Sequence, residues 1–178
     1  MLEGTLITLG PIVPIDFPFL FAWADDVETA HLNEPYRPPV WKSQEDYWNN
    51  LGNDATKVYF AIRVKQSAPI IGYVQLWSID AVSRSAILGI RIGHKNHRGL
   101  GYGHDALRLT IDYCWNQLNL SRIALMVFEH NERAMKLYSD HGFKKEGRLE
   151  KAVFIDGRWI DVVLMALLHP SRQNPASV

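Results

Sequence analysis

Cysteine is almost missing from this chain: Cys114 is the one thiol in 178 residues. A single cysteine cannot build an internal disulfide framework, so a reducing, cytoplasmic setting is the expectation. Excess charge is missing too. Nineteen Lys and Arg balance nineteen Asp and Glu, which excludes a nucleic-acid binder that relies on a basic face, though not a local basic pocket. No apolar run reaches the roughly 18 residues that a membrane-spanning helix needs. The opening MLEGTLITLG lacks the charged start and long apolar centre of a signal peptide, so none is expected. There is no internal repeat, low-complexity block or linker-like segment. One domain over 1–170 and a flexible tail over 171–178 are therefore expected.

What is present is enough apolar sequence to build a core, 47% of the chain, and one stretch around which the rest is organised. Ser85 to Leu109 reads SAILGIRIGHKNHRGLGYGHDALRL. Ile87 to Ile92 is short, apolar and β-branched, as in a buried strand. Arg98 to Gly103 is a loop with Gly99, Gly101 and Gly103 at alternate positions. From Asp105 onward, Ala106, Leu107, Leu109, Ile111 and Tyr113 give a helix with a broad apolar face. Strand, glycine loop and helix together make a main-chain phosphate site, because glycines admit close approach and the first helical N–H groups point at an anion. An ordinary strand-to-helix turn that needs positive φ explains the same glycines. No Gly-Lys-Ser/Thr follows, so this is not a Walker loop. The third glycine comes one residue early for a dinucleotide fingerprint.

The remaining elements follow in order. Thr5 to Leu9 is a strand; a short helix starts at Asp16, tolerates Pro18 in its first turn and ends at Asp25-Asp26. His31 to Trp41 is irregular because of its prolines. Ser43 with Asp46 resembles a capping box and starts a helix over Gln44 to Leu51. Strands over Lys57 to Val64 and Ile70 to Ile79 meet at a turn near Gln66 to Pro69. The central helix ends near Leu118-Asn119. Ser121 to Phe128 is a strand that reads as buried on both faces. Asn131 caps a helix that carries Ala134, Leu137, Tyr138 and His141 along one face and stops at Gly142. Phe143 to Ile155 and Trp159 to Leu168 form a hairpin at Asp156-Gly157. The pattern predicts an α/β fold: a single mixed, mostly antiparallel sheet of about seven strands with helices on both faces.

The loop Arg98-Gly99-x-Gly101-x-Gly103 resembles the acetyl-CoA loop of the GNAT superfamily of N-acetyltransferases. Asn131 to Phe143, NERAMKLYSDHGF, resembles that superfamily's second signature, Asn-x-x-Ala-x-x-Leu-Tyr-x-x-x-Gly-Phe. Two matches in order, one strand apart, are far more specific than either alone. The likeness runs from about Val58 to Leu168 and is nearest to the ribosomal-protein-alanine and spermidine N-acetyltransferase branch, including the Gly157-Arg158-x-x-Asp161 hairpin. It implies a sheet splayed in the middle, between Ile87–Ile92 and Ile123–Phe128. It also implies acetyl-CoA as cofactor and direct transfer of its acetyl group to a primary amine of a small molecule or a peptide N-terminus. A non-catalytic acyl-CoA-binding module is the alternative, which a retained Tyr138 disfavours.

By the same resemblance the cofactor residues are Ile90, Arg91 and Ile92 on the strand, Arg98, Gly99, Leu100, Gly101, Tyr102 and Gly103 in the loop, and Asn131 and Ala134 on the following helix. Asn131 serves equally as a plain helix cap. The carry-over makes Tyr138 catalytic, its hydroxyl donating a proton to the departing thiolate. For the acceptor, Asp25 to Trp41 should line the site. Glu34, Tyr36, Trp41 and Trp77 are the candidates, since a carboxylate with aromatics suits an amine. Gln75 and Ser78 stand where the spermidine enzymes tend to have acids, which weakens a polyamine reading. The general base is open between Asp80, Glu129, His130 and water. His94, His97 and His104 match no metal-ligand spacing, so no metal is expected. A homodimer is left open.

Overall fold

The structure, a computed structural model, describes residues 1–67 and 69–172. Ala68, in the turn expected near Gln66 to Pro69, and the tail from Gln173 onward lie outside the described residues. One eight-stranded sheet runs through the molecule. In chain order its strands are β1 (Leu2–Glu3), β2 (Ile7–Gly10), β3 (Val58–Val64), β4 (Ile70–Asp80), β5 (Ser85–Ile92), β6 (Arg122–Phe128), β7 (Lys144–Ile155) and β8 (Arg158–Leu168). Their spatial order is β1-β2-β3-β4-β5-β6-β8-β7. The α/β class and mixed sheet are as expected. The extra strand is β1, two residues at the edge, too short to carry an alternation signal.

Among the described residues five α-helices flank the sheet: α1 (Phe17–Ala24), α2 (Val27–Ala30), α3 (Trp41–Asn49), α4 (Tyr102–Asn116) and α5 (Glu132–Asp140). Strand alternation decides which face each one covers. Ile62 of β3 packs with Ala106 and Leu109 of α4, whereas its neighbour Ala61 packs with Phe17, Leu20 and Trp23 of α1. Leu88, Leu107, Leu125 and Tyr138 share one core, so α5 lies on the α4 face. Cys114 is fully buried there, and burial pushes its thiol up to about 12, which makes it packing rather than chemistry.

Several local expectations change. The helix expected over Gln44–Leu51 begins at Trp41, directly after Pro38-Pro39, and its N-cap Val40 supplies no side-chain bond. The Ser43–Asp46 box is unused; Asp46 pairs with Lys42 one turn back. Asp16 stands at the N-cap position of α1, but its side chain makes no capping bond to that helix. Its buried carboxylate accepts from Val13 N at 2.9 Å and pairs with Arg63. Asp25 does end α1, but Asp26 starts α2 by accepting from Thr29 N at 2.7 Å. Helix α4 starts three residues before Asp105. Gly142, at φ +88°, and the Asp156-Gly157 turn, both residues at positive φ, fall as expected.

The decisive feature is the β5–β6 junction, the one parallel pairing among the described strands. It holds only from Ser85–Ile87 to Arg122–Ala124. Beyond it, β5 keeps β4 as partner and β6 keeps β8, and the two strands part. Their facing edges leave alternate backbone N–H and C=O groups pointing into the gap. Met126, 54% exposed on β6, faces open space, which corrects the expectation that β6 is buried on both sides.

Candidate active site

The gap opens into a cavity of about 1240 Å³. At its mouth, Gly99 and Gly101 hold φ of +83° and +84°, the left-handed region that favours glycine. Gly101 is the N-cap of α4 and offers no side chain. The N–H groups of Gly99 through His104 make no backbone hydrogen bond among the described residues. Six unspent amides at a helix N-terminus form a cradle for an anion. Gly99, Gly101 and Gly103 line the cavity; Leu100 and Tyr102 lie outside it, Leu100 exposed and Tyr102 against the His97 ring.

Helix α5 supplies the opposite side of the gap. Asn131 Oδ1 caps it by accepting from Ala134 N at 3.1 Å, and Nδ2 donates to Leu32 O at 3.3 Å. Asn131, Ala134 and Tyr138 all line the cavity. Tyr138 is only 5% exposed, and burial pushes its phenol above the ordinary value. Its hydroxyl bonds to no described residue, yet it is not among the sealed, unpartnered polar atoms. The little that Tyr138 exposes therefore includes its O–H, open to the cavity.

Ile90, Arg91 and Ile92 line the β5 edge of the gap. Arg98 lines the cavity, and its side chain is engaged by the chain itself. Its Nε donates to Ile92 O at 3.0 Å and its Nη2 to Thr29 Oγ1 at 2.9 Å, with Glu28 at 3.4 Å from Nη1. It braces the end of β5 against α2. The unspent cation beside the cradle is Arg133, which the sequence reading missed. A Cβ at Gly99 would sit 3.2 Å from its Nη2, and it forms no ion pair among the described residues.

The other wall of the cavity is the α1–α3 face of β3, β4 and β5. Tyr59, Tyr73, Gln75, Trp77 and Arg91 lie on it, and Tyr47 and Trp48 of α3 pack over it edge-to-face against Tyr59 and Tyr73. Gly89 leaves room for the Gln75 amide and the Trp77 ring, which a Cβ would meet at 2.8 and 3.1 Å. Glu34 reaches Arg91, Oε1 to Nη2 2.8 Å.

The domain model described as Acetyltransferase (GNAT) domain matches residues 7–144. The chain belongs to the GNAT acetyltransferase family. It is 33% identical over 143 residues to a spermidine N(1)-acetyltransferase of Vibrio cholerae serotype O1, covering 80% of each chain. It is 29% identical over 153 residues to the ribosomal protein uS5-alanine N-acetyltransferase of Escherichia coli K12, covering 85% of this chain and 76% of that one. The crystal structure of spermidine N-acetyltransferase from Vibrio cholerae in complex with CoA and spermine superposes with a TM-score of 0.85 at 30% identity, covering 93% of this chain and 96% of that one.

The chemistry of the GNAT family, acetyl-CoA-dependent N-acetylation, is thus the chemistry of this chain. The cradle and the splayed edges fit an extended cofactor with a pyrophosphate at one end. Of the expected acceptor residues, Glu34 and Trp77 line the cavity. Tyr36 donates to Asp25 at 2.8 Å and Trp41 packs on Phe21, both away from it. Of the side chains weighed as base, Asp80 sits at the closed end of the splay. It caps the β4–β5 turn through Val82 N and Ser83 N, bonds that hold its carboxyl low. Glu129 pairs with Arg148. Only His130 of the three lines the cavity. The aromatic lid of Tyr47, Trp48, Tyr59 and Tyr73 went unseen because its members come from three elements.

Proposed function

We propose that this chain acetylates the primary amine of a small molecule, with Tyr138 as the general acid. The carrying observation is the Tyr138 hydroxyl, on a nearly buried ring that lines the cavity and open onto the gap between β5 and β6. In this reading the amides of Gly99 to His104 hold the pyrophosphate, with Arg133 beside them, and Arg98 holds the loop. The β5 edge at Ile90 to Ile92 pairs with the amides of the pantetheine arm, and Asn131 and Ala134 border it. The acceptor amine approaches from the face roofed by α3, where Trp77 and Glu34 stand. That roof supports a small amine over a peptide terminus. A buried tyrosine aimed at the reacting centre supports an enzyme over a binding module that has lost turnover.

A cytoplasmic location belongs to the same proposal, supported by the single buried thiol and by the absence, among the described residues, of any helix long and apolar enough to cross a membrane. So does self-association, supported by the exposed Leu149, Phe154 and Trp159 on the β7–β8 hairpin.

The test is release of CoA thiol from acetyl-CoA with a panel of primary amines, with the acetylated products identified by mass. Thioester cleavage that depends on the amine is expected. Tight acetyl-CoA binding with no amine-dependent cleavage would favour the binding module.

A further inference from the structure

Arg91 is the buried cation of the acceptor wall, and its guanidinium is mostly unspent. The side chain is 10% exposed, and its Cζ stands 5.7 Å from the centre of the Tyr73 ring. An arginine carries five N–H donors in a fixed fork that matches a carboxylate. Among the described residues Arg91 makes one side-chain hydrogen bond, to Glu34. None of its nitrogens is both sealed and unpartnered, so the remaining donors open on the cavity that Arg91 lines.

The charge on this wall sums to zero. Gln44, Tyr47, Tyr59, Tyr73, Gln75 and Trp77 are neutral, and the Glu34 carboxylate is bonded to Arg91. A polyamine brings two or more ammonium groups and would find one carboxylate on this wall, already taken by Arg91; Glu28 and Glu132, which also line the cavity, stand on α2 and α5 instead. A substrate with one ammonium and one carboxylate would match the wall. Arg91 and Gly89 share a face two residues apart, roughly 7 Å along the strand, and the space over Gly89 is taken by the Gln75 amide and the Trp77 ring, neutral groups against which the rest of the acceptor can pack. Glu34 is 58% exposed on the irregular segment before α3, so it can stay on Nη2 or yield without disturbing the core.

We propose that the acceptor is an amine that also bears a carboxylate, an amino acid in the broad chemical sense, and that Arg91 binds the carboxylate. The inference rests on the acetyltransferase reading above and names its substrate class. It departs from the spermidine of the similar enzymes.

The experiment compares kcat/KM for matched pairs with and without the carboxylate: phenylalanine with phenethylamine, tryptophan with tryptamine, 4-aminobutanoate with propylamine, and spermidine beside them. A bidentate charge-assisted pair predicts a preference of at least about tenfold for the carboxylate member of a pair. Arg91→Met should collapse that ratio to about one. Arg91→Lys, which keeps charge and loses the fork, should reduce it and serves if Arg91→Met does not fold; acetyl-CoA affinity is the control for folding. Glu34→Gln should leave the ratio intact or raise it. Equal or better turnover of the bare amines or spermidine overturns the inference and leaves the acetyltransferase standing. So does an unchanged ratio in Arg91→Met, or acetyl-CoA binding with no transfer to any carboxylate-bearing amine. Absence of acetyl-CoA binding removes the acetyltransferase reading itself.

Discussion

In the proposed reading Tyr138 concentrates the acid chemistry in one hydroxyl. Burial raises its pKa, so the phenol stays protonated through the neutral range and its own ionisation puts no limb on the pH profile there. Tyr138→Phe keeps the ring against Phe143, whose centroid is 5.7 Å away, and removes only the O–H. Positioned acid catalysis is typically worth about 10²- to 10⁴-fold, so kcat should fall by that much while the Kd for acetyl-CoA holds. A variant that turns over like the parent when chemistry limits the rate would make Tyr138 a core residue. At this scale sequence is legible where a role is local. Asn131 caps Ala134 three residues on, and the motif displayed that. It is illegible where a role is a long-range contact. Arg98 faces Thr29 across 69 positions and Arg91 faces Glu34 across 57. Nothing in the spacing of RGLGYG says that its arginine bonds to Ile92 and Thr29, or that Arg133 lies beside the cradle. Arg133→Ala should accordingly raise the Kd for CoA several-fold, with little change in stability. An unaltered Kd would return the phosphate role to the amides alone.

The start of α4 is the element on which the cradle depends, and what fixes it is Asp105. Its carboxylate accepts from Leu6 N at 2.7 Å and Ile7 N at 3.2 Å and pairs with Arg108, tying β2 to the first turn of α4. Gly4 is glycine because a Cβ there would lie 2.3 Å from Asp105 Oδ2. Burial opposes the charge on Asp105, but the Leu6 amide and Arg108 more than offset it and hold the carboxyl at about 2. An unfolded aspartate titrates near 3.9. This tie therefore contributes about 2 kcal/mol above pH 4, and the contribution is lost as pH falls from about 4 to about 2. Asp105→Asn should cost roughly 1–3 kcal/mol at pH 6, and the gap to the parent should narrow in urea melts at pH 3. A gap of equal size at both pH values would sink the assignment. The glycines of the same element divide by conformation. Gly101→Val forces a β-branched residue into the left-handed region at φ +84° and should lose stability as well as CoA binding. Gly103 is not at positive φ, and a Cβ there meets Leu137 at an ordinary 3.6 Å. Gly103→Val should weaken CoA binding at least tenfold with a near-parental melting temperature. Equal losses of binding and stability would make the loop an ordinary turn.

For the whole molecule the organising fact is a sheet that comes apart in its middle. β5 and β6 are each fully paired on one side and free on the other beyond Ile87 and Ala124. Alternation and turn residues made the strands readable. The splay became an expectation only through the family likeness, because no residue on either strand spells out where pairing stops. The two halves of the sheet are thus joined by three parallel residue pairs and by the helices above them. A ligand that bridges the gap with its own amides does what a missing strand would do. It also binds the folded state alone, since both edges and the cradle exist only there. At 100 times the dissociation constant such binding adds about 2.7 kcal/mol. For a chain of this size that is a rise of roughly 5–10 °C in Tm. CoA and acetyl-CoA should both give it. NAD and ATP carry phosphates for the cradle but no pantetheine arm for the gap, so they should give far less. The contrast separates the cradle from the gap. An equal rise with ATP would mean that the phosphate site carries the affinity and the splayed edges contribute nothing. No rise and no heat with CoA at millimolar concentration would mean that the gap is only a fault in the sheet.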